Sequence, residues 1–598
     1  MVQVHARALN FMKNNNFPIE TIRHSCEHVM AAAIMSLWPE TKRGVGPAIE
    51  NGFYQDLEIP NYKITPEDLP KIEKKMEEIK KAKIKFVKQI KNIDEAINHE
   101  KNLGQVYKVA ILEELKIQGE KEVTYYNLGG YLDLCRGPHV NDSSQIGFFK
   151  LERLAGAYFQ GDEKKPMLQR IYGLCFETKE KLDQYIWQQK EAEKRDHKKL
   201  GKLLDLFIIP EELGSGLLIW TPKGAVIRQE IEKFIISEQT KRGYLHVYSP
   251  HIGKKSLWVT SGHWDLYRDK MYSPIKIDED EYLVKPMNCP MHMMVYKSRP
   301  RSYKELPLRI AENATVYRYE RPGELSGMTR VRYITQDDSH IFCTKQQVVS
   351  EFISVLDYIV FLLKSFQISD YSFRLSLRDP KNKDKYLGDD NIWQEAENAI
   401  EMAVKKKNIK YEKREGEAAF YGPKLDVMIK DALGRQWQCG TIQIDFMLPE
   451  RFALEYIDEK GQRKQPALIH RAPLGSLERF VGILIEHYAG NFPLWLSPIQ
   501  VNIIPIAERH KIMAENVQKE LLRSSIRTYL DDRNESMQAK IRDATLQKVP
   551  YMIIIGDREL QNKKNPLVCI RTREGKDLGQ MSISLFLNKL QEEIEKKH

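Results

Sequence analysis

The chain has 598 residues, 42% of them hydrophobic and 29% charged, and its 93 Lys and Arg against 83 Asp and Glu leave a formal charge of +10. That composition belongs to globular domains with substantial cores, about four at roughly 150 residues each, and excludes collagenous, mucin-like and disordered chains. No stretch nears the roughly 18 apolar residues of a membrane span, so no membrane partner is expected, and the modest positive excess fits patches that meet a polyanion.

Residues 1–19 carry Arg7 and Lys13 and no acid. They lack the apolar core of a secretory signal and hold more Asn than Arg or Ser, a poor fit to a transit peptide, so a short extension is expected. Residues 20–180 mix short strand-like runs with a Lys/Glu-rich stretch from Glu67 to Asn92, whose pattern predicts one solvated helix. The charge-dense run from Lys181 to Leu206 predicts a helical linker over 181–206. Residues 207–496 alternate strand-like and helical runs. From Ser497 the runs QVNIIPI, a helix around Met513 to Leu522, IRTYLD, a second helix and YMIIIGD predict an open α/β domain over 497–598. That last region holds eighteen Lys and Arg against fourteen Asp and Glu, a disproportionate share of the positive charge. The seven cysteines are odd in number, scattered and without a C-x-x-C pair, which points to a reducing, cytoplasmic setting.

Several familiar signals fail. No G-x-x-x-x-G-K-[ST] loop is present, and His251-Ile252-Gly253 is followed by Lys254 where a HIGH signature needs histidine. HSCEH, with His24, Glu27 and His28, fits the H-x-x-E-H pattern that sets two histidines one helical turn apart beside a carboxylate. Cys135 and His139 in CRGPH have the same separation. Together these four borderline-soft side chains suit either a tetrahedral zinc site or a metal-free hydrolytic pocket. Further on, Arg318, Arg321, Arg330 and Arg332 fall within fifteen positions. Bidentate guanidinium groups grip phosphate oxygens, while interleaved carboxylates would equally make a salt-bridged β-hairpin. In HRAPLGSLERF, Arg479 precedes an apolar helical stripe from Val481 to Ile485, the pattern of a core helix with one exposed arginine.

Taken in order, these segments resemble the class II aminoacyl-tRNA synthetases, in detail their threonyl-tRNA synthetase family, from about Ile22 to the C-terminus. HSCEHVMAAA and YLDLCRGPHV are similar to its editing-domain motifs, and MLQRIYG follows them. KGAVIRQEIEKFIISEQTKRGYLHVYSP resembles motif 1, the dimer-forming helix and strand ending at Pro250. KPMNCPMH, YRYE through TQDDSHIFC, AFYGPKLD, QWQCGTIQIDF and IHRAPLGSLERF resemble the catalytic domain. RNESMQAKIRDATLQKVPYMIIIGD and RTREGKDLG resemble the anticodon-binding domain. The implied fold is a multidomain α+β protein: an N-terminal α+β editing domain, a class II antiparallel-sheet catalytic domain and a C-terminal α/β anticodon-binding domain. The small ubiquitin-like domain that usually opens bacterial members is expected to be missing or a remnant, since 23 residues precede His24.

By this resemblance Cys289, His340 and His470 would bind one catalytic zinc per chain, and threonine would meet it with Asp338 and Tyr421 assisting. Arg318 would hold the ATP α-phosphate, Glu320 would lie near the adenine or its metal, and Arg330 and Arg479 would pin the outer phosphates, with Mg²⁺ neutralising the polyphosphate. Gln336, Lys424, Gln438, Gln443 and Ser476 match further pocket positions. His24, His28, Lys108, Asp133, Cys135 and His139 would form the editing pocket, and Asn534, Arg542, Glu559 and Arg571 would read the anticodon. The implied enzyme is a homodimer, joined through its catalytic domain, that ligates L-threonine to tRNA-Thr with ATP and hydrolyses mischarged seryl-tRNA. A synthetase-like RNA-binding regulator without catalysis and a zinc peptidase built on HSCEH are the alternatives. The regulator need not keep Arg318, Arg479 and all three zinc positions, and the peptidase leaves the middle region unexplained.

Overall fold

A computed structural model describes residues 17–431, 434–561 and 567–597. Residues 1–16 of the expected extension lie outside the described residues. The chain divides into two compact units, Met1–Gln189 and Lys190–His598.

In the first unit, helix α1 (Ile19–Leu37) buries Ile22, Cys26, Val29, Met30 and Ala33, a stripe at helical spacing. The stripe packs on an antiparallel sheet of β1 (Lys42–Arg43), β2 (Gly52–Glu58), β6 (Phe148–Tyr158) and β7 (Met167–Phe176) in the order β1-β2-β7-β6, with Ala48–Ile49 also paired to β2. Helix α2 (Leu69–Lys81) closes this core with Leu69, Ile72 and Met76. The single helix expected over Glu67 to Asn92 is therefore a helix and a strand. Lys83, at φ 52, turns the chain out of the helix, and β3 (Phe86–Asn92) pairs with β4 (Glu122–Leu128) over seven positions. Lysine's helix preference does not survive that ladder, because tertiary pairing outweighs tenths of a kcal/mol of local propensity. Strands β3, β4 and β5 (Tyr131–Leu134) form a second sheet, and helices α3 (Ile93–Asn102) and α4 (Val106–Ile117) share a small core with it.

The charge-dense run is likewise two helices rather than one, α5 (Lys179–Arg195) and α6 (His197–Leu203). Asp196 separates them because its carboxylate accepts from Lys198 N (2.6 Å), an N-cap that starts the second helix.

In the second unit, helix α7 (Pro222–Lys241) opens on Pro222 after the Thr221 cap, as motif 1 implies a long helix there. An eight-stranded sheet follows, in the order β8 (Leu245–His246), β9 (Leu308–Tyr317), β10 (Tyr333–Cys343), β15 (Ala467–Ala472), β14 (Gln436–Asp445), β13 (Lys424–Lys430), β11 (Tyr371–Leu377) and β12 (Tyr411–Glu415). All neighbours are antiparallel except the two edge pairs, β8 with β9 and β11 with β12. Helix α8 (Cys289–Lys297) precedes β9, and helices α9 (Val348–Ser365), α10 (Asp390–Lys406) and α11 (Leu477–His487) bury their apolar stripes in the main core. Pairing of β9 with β10 runs to Tyr317 opposite Tyr333, so the arginine-rich stretch is the long connection of a hairpin.

The C-terminal sheet has the order β17 (Thr528–Leu530), β16 (Val501–Pro505), β18 (Tyr551–Ile555), β19 (Leu567–Thr572) and β20 (Asp577–Ser582). Its first three strands are parallel, as the strand–helix alternation predicts, and the last two add an antiparallel hairpin. Helices α12 (Lys511–Arg523), α13 (Met537–Leu546) and α14 (Ile583–Lys596) complete it. Among the described residues no helix is long and apolar enough to cross a membrane.

Candidate active site

On β10, Gln336, Asp338 and His340 alternate and so share one face of the sheet. His470 on β15 stands directly opposite His340, and Cys289 is the first residue of α8. This register brings one sulfur and two imidazoles together: their ligand atoms lie within 4.8 Å of one another, and all three residues are buried. Cys289 Sγ is 3.5 Å from His470 Nδ1. The other nitrogen of His470, Nε2, is 2.8 Å from Asp445 Oδ2. His340 contacts His292 through Nδ1 (2.8 Å), and among the described residues its buried Nε2 has no partner. Burial pushes the Cys289 thiol well up and His340 well down. An orphaned buried ring nitrogen beside a thiol and a second imidazole fits a metal, which would take the lone pair and stabilise the thiolate.

Around the trio, Asn288 Nδ2 donates to Asp338 Oδ2 (2.9 Å) and the Tyr421 hydroxyl donates to Gln443 Oε1 (2.6 Å). The Tyr421 and His470 rings lie 5.0 Å apart. Lys424 Nζ and Gln438 Nε2 both donate to Asp426, each at 2.7 Å. Ser476 bridges to Gln336 and caps α11, accepting from Arg479 N (3.3 Å).

The arginines meet on the same side. Arg479 donates through Nε to Thr329 O and through Nη1 to Gln438 O, both 2.9 Å, bonds that aim the guanidinium without neutralising it. Its pKa is lowered, first by burial and then by the charges of Arg318 and Arg330. Arg318 donates to Pro286 O (3.3 Å), and its charge also acts on Cys289 and Tyr421. Arg330 pairs with Glu320 (3.0 Å) and Glu324 (3.2 Å), which Lys270 also holds at 3.0 and 3.1 Å. Arg332 donates to Glu320 O (3.0 Å). The hairpin connection is thus salt-bridged only in part: Arg330 is paired with carboxylates, while among the described residues the side chains of Arg318 and Arg479 bond only carbonyl oxygens.

A separate cluster lies in the first unit, in a cavity of about 1010 Å³. His24 and His28 project from α1, and Cys135 and His139 follow β5; their candidate ligand atoms also lie within 4.8 Å of one another. Cys135 Sγ is 3.1 Å from His24 Nε2 and 3.3 Å from His139 Nε2, and it accepts from Gly137 N at 3.2 Å. Burial pushes the Cys135 thiol up to about 12, lowers His24 and brings His28 down to about 3. Lys108 on α4 and Arg43 on β1 hold Asp133 Oδ1 at 2.9 and 3.0 Å. Burial works to raise that carboxyl, but the two cations outweigh it and keep it at about 2.

Of the C-terminal candidates, Asn534 lies in the exposed loop after β17 and Arg542 is exposed on α13. Glu559 is buried, accepting from Gly556 N and Gln580 Nε2, while Arg571 lies on β19 with a buried, unpartnered Nε. Sequence reasoning missed the supporting groups His292, Asp445, Asp426 and Arg43. Strand alternation alone would have found Asp445, two residues beyond Gln443 on the same face.

Three family models match. Residues 272–488 match the tRNA synthetase class II core domain (G, H, P, S and T), 500–593 the anticodon binding domain, and 123–172 the threonyl and alanyl tRNA synthetase second additional domain. The chain is 48% identical to the threonine–tRNA ligase of a Sulfurihydrogenibium species over 99% of this chain and 91% of that protein. It is also 48% identical to that of Thermus thermophilus, over 94% of this chain and 87% of the other. Among solved structures it resembles the RNA binding domain of threonyl-tRNA synthetase from Cryptosporidium parvum (TM-score 0.63, 37% identity, 66% of this chain and 98% of that one). A putative threonyl-tRNA synthetase from Aeropyrum pernix matches with a TM-score of 0.58 at 28% identity, over 68% and 96% of the two chains.

Proposed function

The chain belongs to the threonine–tRNA ligase family of class II aminoacyl-tRNA synthetases, and on that premise we propose how its residues divide the work. The enzyme charges tRNA with threonine and carries an editing domain. We assign editing to residues 20–180, linkage to 181–206, synthesis to 207–496 and anticodon reading to 497–598. The observation that carries the synthetic assignment is the pair of Arg318 and Arg479 beside a buried Cys289–His340–His470 trio.

Cys289, His340 and His470 hold one zinc, which when bound is a Lewis acid for the amino group and hydroxyl of threonine. Asp338 and the Tyr421 hydroxyl orient those same groups. Valine lacks the hydroxyl and is rejected strongly, because polar groups built to meet it are then left unpaired. Arg318 binds the α-phosphate of ATP and neutralises charge as the threonine carboxylate attacks it. Arg330 and Arg479 hold the outer phosphates with Mg²⁺, and Glu320, Gln336, Lys424, Gln438, Gln443 and Ser476 line the remainder of the pocket. Motif 1 supports a homodimer through the catalytic domain: Tyr248, three residues beyond the start of β8, is 89% exposed, with Leu245 and Ile252 exposed nearby. The free cysteines support a cytoplasmic setting. Aminoacylation of tRNA-Thr by the purified protein, with threonine, serine and valine compared, tests the whole reading; failure to charge threonine would leave the non-catalytic regulator in its place.

Serine keeps the hydroxyl and lacks one methyl, a deficit worth only about 1–3 kcal/mol, so a hydrolytic site must supply the remaining selectivity. The His24–His28–Cys135–His139 pocket, with Lys108 and Asp133, is that site, working without metal. Within the pocket the Cys135 thiol is met by His24, His139 and the Gly137 N–H at 3.1, 3.3 and 3.2 Å, contacts that hydrogen bonds alone can hold. Metal analysis is expected to return one zinc per chain, lost in Cys289→Ala and retained in Cys135→Ala. Two equivalents, one of them lost in Cys135→Ala, would overturn the metal-free reading.

Anticodon bases splayed from a single-stranded loop meet polar and arginine side chains, the role of Asn534, Arg542, Glu559 and Arg571. Arg542→Ala is expected to raise the KM for tRNA-Thr roughly tenfold or more, leaving tRNA-independent pyrophosphate exchange unchanged. An equal loss of exchange would place Arg542 outside anticodon reading.

A further inference from the structure

His292 lies one turn after Cys289 on α8 and is fully buried. Its Nδ1 stands 2.8 Å from His340 Nδ1, and its Nε2 stands 3.2 Å from Glu312 Oε2 on β9. Glu312 also accepts from Ser249 N and Oγ, both at 2.8 Å, and the buried Lys285 ammonium is 3.7 Å away. Burial works to raise the Glu312 carboxyl, but its bonds to His292 and Ser249 and the Lys285 charge hold it below the usual range.

We propose that Glu312 and His292 are positioning residues, a hydrogen-bond relay that leaves the lone pair of His340 on Nε2, ready for the metal. The inference rests on the metal reading of Cys289, His340 and His470. A carboxylate only accepts, so His292 Nε2 carries the proton and donates to Glu312. With its Nε2 donating to Glu312, His292 offers a lone pair at Nδ1, and the 2.8 Å contact is satisfied when His340 Nδ1 carries its proton and donates. The remaining lone pair of His340 sits on Nε2, the buried nitrogen that has no protein partner. With the Nδ1 contact reversed, His292 donating and His340 accepting, His340 would carry its N–H on Nε2 with nothing among the described residues to receive it. Asp445 plays the equivalent part for His470 directly, accepting from Nε2 and leaving Nδ1 toward Cys289 Sγ. The two ligand histidines thus present opposite ring nitrogens, one fixed by a carboxylate and the other by a carboxylate acting through an intervening imidazole.

The bond polarity gives a test that separates positioning from packing. A glutamine amide carries an acceptor and a donor at nearly the spacing of the two imidazole nitrogens, so His292→Gln can accept from His340 and donate to Glu312, whereas His292→Phe fills the space and does neither. Zinc affinity of the purified full-length chain, read by competition with a chromogenic chelator, is expected to match wild type in His292→Gln and to fall about 10- to 100-fold in His292→Phe. Seryl-tRNA deacylation and the melting temperature in excess zinc serve as fold controls. Equal affinity in His292→Phe and wild type overturns the relay, and so does a His292→Gln protein as weak as His292→Phe, which would mark a packing role. If His292→Phe does not fold, Glu312→Gln gives the second reading: it keeps the shape, removes the obligate acceptor and is expected to weaken zinc several-fold, and unchanged affinity there overturns the relay. Wild-type protein without chelatable zinc would instead remove the metal reading itself, and the relay with it.

Discussion

Arg318→Ala is expected to lower threonine-dependent pyrophosphate exchange by about 10²–10³-fold, the usual cost of removing one preorganised group aimed at transition-state charge. The size follows from the surroundings. Among the described residues the Arg318 side chain bonds no carboxylate, only the Pro286 carbonyl at 3.3 Å, so its charge is available to an incoming anion. Arg479 is half-buried and its pKa is lowered, chiefly because burial disfavours the charge and further because the cations Arg318 and Arg330 stand near it. On the proposed reading, cations gathered this closely disfavour the empty site and would favour a polyphosphate that relieves them. Arg330, held by Glu320 and Glu324, should matter less than Arg318 or Arg479. Arg318→Lys keeps the charge but not the planar fork and should recover only part of the rate. A folded Arg318→Ala protein with full exchange activity would sink the assignment.

What could be read from the residues alone depended on whether a function is local in sequence. His24 with His28, and Cys135 with His139, each lie four apart, so the pocket's two halves were visible as separate pairs, though nothing in their spacing said that α1 and the segment after β5 meet. The Cys289–His340–His470 trio is assembled by strand register, His340 opposite His470; only the resemblance of ordered motifs located it. Supporting groups were the least legible. Glu312, His292 and Asp445 act on ligands remote in sequence and carry no periodicity of their own beyond the strand or helix they sit on. The same limit explains Glu67 to Asn92, where a lysine-rich composition suggested one helix and pairing with β4 converted its end into a strand. By contrast, the C-terminal parallel strands followed from alternating apolar runs and helices, because each βα step there is local.

His24→Ala is expected to slow deacylation of seryl-tRNA-Thr by about 10²-fold or more, the share that a positioned base commonly supplies. The structure narrows how the pocket can work. Cys135 is a poor nucleophile, since burial pushes its thiol to about 12 and leaves it protonated at neutral pH. Asp133 is committed to Lys108 and Arg43, which leaves the histidines to handle the attacking water. Among the described residues the buried His28 Nδ1 has no partner, while His24 Nε2 faces the Cys135 thiol, so the two imidazoles on one face of α1 can hold a water between an open ring nitrogen and a fixed ring. Both are neutral at pH 7, because burial lowers His24 below 6.5 and brings His28 to about 3. A base works in its unprotonated form, and a lowered pKa keeps that form populated as pH falls. As pH is lowered from about 8 to 5, deacylation should therefore fall at a lower pH than it would for an ordinary histidine, half protonated at about 6.5. Purified seryl-tRNA-Thr and threonyl-tRNA-Thr, incubated with wild type and His24→Ala across that range, decide it. The proofreading assignment fails if wild type clears both esters equally slowly or if His24→Ala clears the serine ester as fast as wild type, and the neutral-imidazole account fails if the wild-type rate halves at pH 6.5 or above.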